Sequence, residues 1–497
     1  MYIEDRDLVS IQEVRNHIRK AKKAQKILAQ MSQEQIDTIV KVVAKACYEQ
    51  RVHLAKMAAE ETGFGRWEDK VLKNALASQG IYEEIKDMRT VGILREDTVN
   101  KVTEVAVPVG VVAGLIPSTN PTSTVIYKAL IALKAGNSIV FSPHPNALKS
   151  IEETVEIINK AALAAGCPEG AVSCIHRVSI GATNELMRHK DTNLILATGG
   201  NAMVRAAYSS GTPAIGVGPG NGPAFIEKTA DIPRAVQQIL DSKTFDNGVI
   251  CASEQSIIVE EVSKAQVIEE FKRQGAYFVP EEDARKLGAF VIQPNGMMNP
   301  RMVGKPAVEI GKAAGIDVPN DARVLIAEET GVGKGHPYSY EKLGPVLGFY
   351  TVKDWKEACD LSLKILHHEG VGHTLSLHTQ DETIIREFSL KKPVSRLLVN
   401  TGSALGGVGA TTGLFPAFTL GCGAVGGSAT SDNVSPANLF NIRRIAYGTK
   451  ELADLRKAER QVAEVKEACC QVDTSLAGEE LLDELVTRVL AQLSKNL

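Results

Sequence analysis

The sequence predicts an α/β protein built on parallel sheets, and three observations carry that reading. Between residues 101 and 200, β-rich runs at 102–107, 109–116, 138–141 and 193–197 alternate with helical runs at 122–134 and 147–165, the succession expected of βαβ units. Glycine clusters punctuate 199–222 and 402–427 and bracket a second α/β stretch that begins near residue 245, which implies two lobes with ligand-facing loops between them. From about residue 8 to 90 the pattern is helical. Ile11, Val14 and Ile18 share one face, and Ser32 with Gln35 forms a candidate capping box ahead of Ile36, Ile39, Val40 and Val43, which recur at i, i+3, i+4 and i+7.

A chain of 497 residues allows roughly two to four domains and a sizeable core. A formal net charge of -3 and a pI near 6.4, without a basic block, give no electrostatic footprint for nucleic acid or an anionic bilayer, so small molecules are the expected partners. The cysteines at 47, 167, 174, 251, 359, 422, 469 and 470 are scattered without C-x-x-C spacing, which suits a reducing cytosol. Neither His367-His368-Glu369 nor any other His group has HExxH spacing, so no metal is expected. The acidic start is unlike a signal peptide and no run approaches 18 apolar residues, so no membrane span is expected and the chain is read as soluble and unexported.

The end differs in kind. Residues 450–467 are charged and helix-prone, and 479–497 form a separate amphipathic helix. Leu481, Leu482, Leu485, Val486, Val489 and Leu493 fall at i, i+1, i+4, i+5, i+8 and i+12, while Glu479, Asp483, Glu484, Arg488 and Gln492 keep mostly to the other side. An apolar stripe of this kind needs a cover.

Cys251 is the leading candidate nucleophile. It lies in Asp246-Asn247-Gly248-Val249-Ile250-Cys251-Ala252-Ser253, a loop composition between the helical pattern 232–240 and the strand pattern 257–259. A thiol adds readily to carbonyl carbon, and flanking glycine permits close approach, whereas a small buried hydrophobe is the plainer alternative for a cysteine.

Five motifs, in order, resemble the aldehyde dehydrogenase superfamily and, within it, the CoA-acylating aldehyde dehydrogenases, including the aldehyde half of bifunctional aldehyde-alcohol dehydrogenases. They are 107–114 leading into Ile116-Pro117-Ser118-Thr119-Asn120-Pro121; Phe141-Ser142-Pro143-His144-Pro145; Ala197-Thr198-Gly199-Gly200; the loop 245–256; and Glu341-Lys342-Leu343-Gly344-Pro345-Val346. The resemblance covers about residues 10–448. It implies an aldehyde dehydrogenase fold, with a Rossmann-like cofactor domain at 1–244 (98–108 in an oligomerisation β arm), a catalytic domain at 245–424, a return to the cofactor domain and arm at 425–448, a linker at 449–478 and the terminal helix at 479–497. A homodimer or homotetramer is also implied.

What the resemblance implies for chemistry follows residue by residue. Cys251 adds to the aldehyde carbon, and the side-chain amide of Asn120 with the Cys251 N–H meets the resulting oxyanion; a turn Asn before Pro121 is the alternative. NAD accepts the hydride. Glu341 matches the glutamate that bonds the nicotinamide ribose, against a plain ion pair, and Thr198, Gly199 and Gly200 match the strand-to-helix turn facing the cofactor, against an ordinary turn. Where hydrolytic members carry Glu-Leu-Gly-Gly-Lys, this chain reads Val217-Gly218-Pro219-Gly220-Asn221, so no general base is expected there and coenzyme A becomes the acyl acceptor. Gly218 and Gly220 belong to that stretch beside the cofactor. Ser142 stands where many relatives place a lysine on the adenosine ribose, with Pro143 and His144 following. His373 resembles a histidine of acylating relatives that assists CoA thiolate formation, with a structural histidine as the alternative. Phe415 and Phe418 either shape an acyl pocket or pack the core.

The expected reaction is reversible, NAD-dependent oxidation of propionaldehyde or acetaldehyde to its acyl-CoA. The tail resembles an encapsulation peptide that docks on a bacterial microcompartment shell protein, against packing on its own domain or self-association. Hydrolysis to the free acid, and a catalytically silent cofactor-binding scaffold, are the competing readings.

Overall fold

A computed structural model describes residues 5–470 and 478–494. Residues 1–4 of the expected lead-in, 471–477 of the expected linker and 495–497 of the terminal helix lie outside the described residues. The chain divides into two compact units, Met1–Gly92 with Ala106–Asn441 and Ile93–Val105 with Ile442–Leu497.

In the first unit the helical lead-in forms as its pattern demands. Asp5 caps the helix Arg6–Leu28 by accepting from the N–H groups of Asp7 and Leu8, and Ser32 and Gln35 complete the expected capping box on Gln33–Glu49. Val14, Ile18, Ile36, Ile39, Val40 and Val43 are all buried.

A parallel five-stranded sheet follows, made of β3 (Val111–Leu115), β4 (Ser138–Ser142), β5 (Val172–Cys174), β6 (Leu194–Thr198) and β7 (Ala214–Val217) in the order β5-β4-β3-β6-β7. β3 and β4 are buried along their whole length, as a sheet covered on both faces requires. The chain winds one way from β3 to β5 and the other way through β6 and β7. The switch point is therefore between β3 and β6, and the crevice at the carboxyl ends there is where such sheets hold ligands.

A second parallel sheet has seven strands, β8 (Gly222–Ile226), β9 (Glu254–Glu260), β10 (Ala276–Phe278), β11 (Val324–Glu328), β12 (Val346–Val352), β13 (Gly372–His378) and β14 (Val394–Val399), in the order β10-β11-β12-β9-β8-β13-β14. Because β8 pairs with both β9 and β13, the sheet boundary falls just before residue 222 rather than at 244. The glycines at 218–222 hid that short strand, since glycine weakens any periodic signal.

The second unit holds most of the three-stranded sheet β1 (Gly92–Asp97), β2 (Val102–Pro108) and β15 (Phe440–Ala446), in the order β1-β2-β15, together with the helices Leu452–Cys470 and Glu479–Ser494. The expected linker thus begins with a helix. Among the described residues, no helix is long and apolar enough to cross a membrane.

Candidate active site

The carboxyl ends of β3, β4, β6 and β7 run into residues 116–120, 142–145, 198–200 and 217–219, and all four segments line one cavity of about 670 Å³. Cys251, Glu341, Leu343, Val408 and Phe418 close its other side. The first sheet thus supplies one wall of the cavity and Cys251, just ahead of β9, faces it. The helix Ile232–Thr244 ends in a short turn, Phe245–Gly248, in which Asp246 and Asn247 take the left-handed conformation (φ 51° at each) before the chain reaches Cys251. That turn lifts the sulfur out of any regular element.

Cys251 is half-buried, whereas Cys47, Cys167, Cys174, Cys359 and Cys422 are buried. Burial, reinforced by Glu341 and Cys422 and opposed by the Arg396 guanidinium, pushes the Cys251 thiol up to about 12, so it rests as the neutral thiol. The loop after β7 lies directly on this residue. A Cβ built on Gly220 would stand 1.7 Å from the Cys251 carbonyl oxygen, so only glycine fits. Gly218 lines the cavity, and Gly220 donates its N–H to Glu341 (3.0 Å).

Glu341 also donates its backbone N–H to Glu369 (2.9 Å). Burial and then the neighbouring Glu369 raise the Glu341 carboxyl to about 8, so at neutral pH it is largely protonated and can both donate to and accept from a hydroxyl. Among the described residues it is the one carboxylate on the cavity wall.

Asn120 precedes the helix Pro121–Lys134 and lines the cavity. Its Oδ1 accepts from Lys73 Nζ at 2.6 Å, and its Nδ2 has a long 3.4 Å contact to Thr119 Oγ1. Thr198, Gly199 and Gly200 form the turn into the helix Asn201–Tyr208, and a Cβ on Gly200 would meet nothing within 4 Å, leaving open space for a ligand backbone. Ser142 is buried and pairs with Thr183 Oγ1 (2.9 Å); Pro143 lines the wall, and His144 Nδ1 accepts from the Asn146 N–H (3.1 Å). A glycine turn at 198–200 and the largely protonated Glu341 carboxyl line this crevice, and both suit a nicotinamide dinucleotide.

His373 stands apart from this wall. It is fully buried near the start of β13, its Nδ1 pairs with Thr374 Oγ1 (2.7 Å) and its Nε2 has no partner among the described residues. Burial and the Arg396 charge depress it to about 3, so the ring is neutral. Phe418 lines the cavity, while Phe415 packs against the core.

Sequence reasoning missed the charged residues behind the site. Arg396 on β14 is 3% exposed and donates to Gly421 O (2.7 Å) and Asn433 Oδ1 (3.2 Å). Lys128 donates to the carbonyls of Leu115 and Leu196, both at 2.8 Å, joining the ends of β3 and β6. Lys70 and Lys73, each 3% exposed, converge on the fully buried Asp246. The signal for the last pair was an inverted pattern: in the helix Trp67–Ala75 these lysines face inward while Leu72 is 59% exposed.

The model of the aldehyde dehydrogenase family matches residues 5–295, more than half of the chain. The chain belongs to the aldehyde dehydrogenase family. It is similar to the bifunctional aldehyde-alcohol dehydrogenase AdhE of Escherichia coli (strain K12), at 43% identity over 444 residues, covering 88% of this chain and 50% of that protein. It therefore spans about half the length of that relative. Among solved structures, a probable aldehyde dehydrogenase from Listeria monocytogenes EGD-e is 68% identical, with a TM-score of 0.90, covering 91% of this chain and 100% of that one. An acetylating aldehyde dehydrogenase from Geobacillus thermoglucosidasius is 54% identical (TM-score 0.89, covering 90% and 99%). A propionaldehyde dehydrogenase from the Clostridium phytofermentans fucose utilisation bacterial microcompartment is 30% identical (TM-score 0.79, covering 88% and 98%). These aldehyde dehydrogenases share the parallel-sheet fold described above.

Proposed function

We propose that this aldehyde dehydrogenase oxidises a short-chain aldehyde, acetaldehyde or propionaldehyde, to its acyl-CoA with NAD, reversibly, through a thioester on Cys251. The observation that carries this reading is the stretch 217–221. In place of a side chain that could prime water, it sets Gly220 flush against the Cys251 backbone, and the remaining wall carboxylate, Glu341, is tied to the Gly220 N–H.

The Cys251 thiol gives its proton to solvent as the S–C bond to the aldehyde carbon forms, and the electron pair of the C=O bond moves to the oxygen, which takes the negative charge. Asn120 Nδ2, with the Cys251 N–H, meets that charge; loss of one such donor costs about 3 kcal/mol of transition-state stabilisation. Residues 198–200 would hold a nicotinamide and Glu341 its ribose, and the cofactor would supply the hydride acceptor. Ser142, Pro143 and His144 take the adenosine side; burial lowers His144 below the usual histidine range, so these three offer no positive charge to a 2′-phosphate and NAD is favoured over NADP. The acyl group then passes from one sulfur to another, from Cys251 to CoA, with the CoA thiol proton released to solvent; His373, fully buried and held at about 3, is too weak a base and too enclosed to take it. The names of similar enzymes support this class, one being acetylating and one a propionaldehyde dehydrogenase.

Propionaldehyde and NAD, with and without CoA, separate the readings. CoA-dependent NADH and propionyl-CoA formation is expected; CoA-independent acid formation would establish hydrolysis, and no turnover a silent scaffold.

The terminal helix Glu479–Ser494 is proposed to dock on a microcompartment shell protein. Leu482, Val486 and Leu490 are 64%, 45% and 60% exposed and recur at i, i+4 and i+8, an open stripe. Residues 471–497 fused to a fluorescent protein should form puncta in shell-forming cells, and a diffuse signal would remove the idea. The three-stranded sheet, with β15 exposed along most of its length, is the proposed arm of a homodimer or homotetramer, which light scattering tests.

A further inference from the structure

We propose that Lys73 is a positioning residue for the oxyanion hole: it fixes which way the Asn120 amide points and ties that amide to the nucleophile loop. The proposal rests on the role of Asn120 given above.

An ammonium has three N–H donors and no acceptor. Lys73 Nζ has three acceptors in reach, Asn120 Oδ1 (2.6 Å), Asp246 Oδ2 (2.5 Å) and Val249 O (2.9 Å). Because it only donates, it pairs with the oxygen end of the amide, which accepts, and repels the NH₂ end, so Nδ2 is turned away from Lys73. Asn120 lines the cavity, and the other end of its amide, which has a long 3.4 Å contact to Thr119 Oγ1, is the donor end. A flipped amide would set two N–H groups against each other and aim an oxygen at a developing oxyanion.

The same ammonium holds the Val249 carbonyl in the segment that delivers Cys251. Lys73 therefore sets the distance between the side-chain donor of the hole and the residue that supplies both the sulfur and the backbone donor.

A plain ion pair does not account for this arrangement. Asp246 already has Lys70 Nζ on its Oδ2 (2.9 Å) and the Arg66 N–H on its Oδ1 (2.7 Å), and Lys70 reaches Thr119 O (3.2 Å). One lysine neutralises the carboxylate; the second is the one that reaches Asn120. Burial in this group of charges holds Lys73 at about 8, below the usual lysine range, with Asp246 opposing the shift.

The test is a double-mutant cycle on the full chain with saturating propionaldehyde, NAD and CoA. Asn120→Ala is expected to lower kcat by about 100-fold or more. Lys73→Met should lower kcat by a similar factor with little change in the KM for aldehyde, and the double variant should be no worse than Asn120→Ala alone, since both act through one group. Lys73→Arg, which restores donors, should recover part of the loss. Iodoacetamide labelling of Cys251 reports whether the nucleophile itself has moved. If Lys73→Met does not fold, Lys73→Met in the Asp246→Asn background, compared with Asp246→Asn alone, replaces it, since the unpaired Lys70 charge is then common to both variants. Multiplicative losses in the cycle, or near-normal kcat in Lys73→Met, would overturn the inference. Normal kcat in Asn120→Ala would instead overturn the underlying role of Asn120.

Discussion

Replacing Gly220 by alanine adds one methyl group at the point where two backbones meet. The new Cβ would stand 1.7 Å from the Cys251 carbonyl oxygen and 2.7 Å from its carbon, against the 3.4 Å at which ordinary contact begins. The atom encountered is backbone, so no rotamer change relieves it, and either Cys251 or the 218–221 loop must shift. A displacement on the order of 1 Å at a reacting group costs about 100-fold in rate, roughly 2.7 kcal/mol. Overpacking of this kind adds about 1–3 kcal/mol of destabilisation. The assay is the pre-steady-state formation of NADH, which isolates acylation of Cys251, paired with thermal unfolding by circular dichroism. Gly413→Ala is the control, because a Cβ there meets nothing within 4 Å and the backbone is ordinary. Gly220→Ala with an undiminished burst and an unchanged melting temperature would refute the close approach on which the absence of a water-priming group rests.

Three further outcomes follow from the same geometry. Val217→Glu places a carboxylate on the cavity wall where hydrolytic relatives carry one, and free-acid formation without CoA should rise by about 100-fold; a folded variant that still needs CoA would count against that assignment. Asp246→Asn leaves Lys70 and Lys73 without a counter-charge in a buried setting and should cost about 3 kcal/mol in urea unfolding, so a change below about 0.5 would show the pairing to be weak. With its thiol held near 12, Cys251 of the ligand-free enzyme should react with iodoacetamide about tenfold faster for each pH unit from 7 to 10, and a plateau near pH 8 would contradict the assigned environment.

How much was legible in the sequence depended on whether a residue's role was local. Cys251 could be placed between a helix and a strand because the periodicity changes on either side of it, and the helix Ile232–Thr244 and β9 flank it as expected. Asn120, Glu341 and the 198–200 turn were legible through motif order, and the cavity brings all of them together with Cys251. β5, β7 and β8 were not, because three to five residues carry too few periods to register, and β7 and β8 each hold a glycine. Nor were Arg396, Glu369 or Lys73, whose partners lie far along the chain; the separation from Lys73 to Asp246 is 173 residues. His373 was legible as a histidine of interest, but its buried, neutral state depends on packing that spacing does not record.

The helix Trp67–Ala75 is built inside out, and that reverses the usual guide to which positions tolerate change. A library that treats lysines as replaceable surface and leucines as core would randomise Lys70 and Lys73, where almost any other side chain strands Asp246, and would protect Leu72, which solvent already reaches. Reagents that modify amines would likewise spare these two lysines in the native enzyme and find them only after the chain has opened.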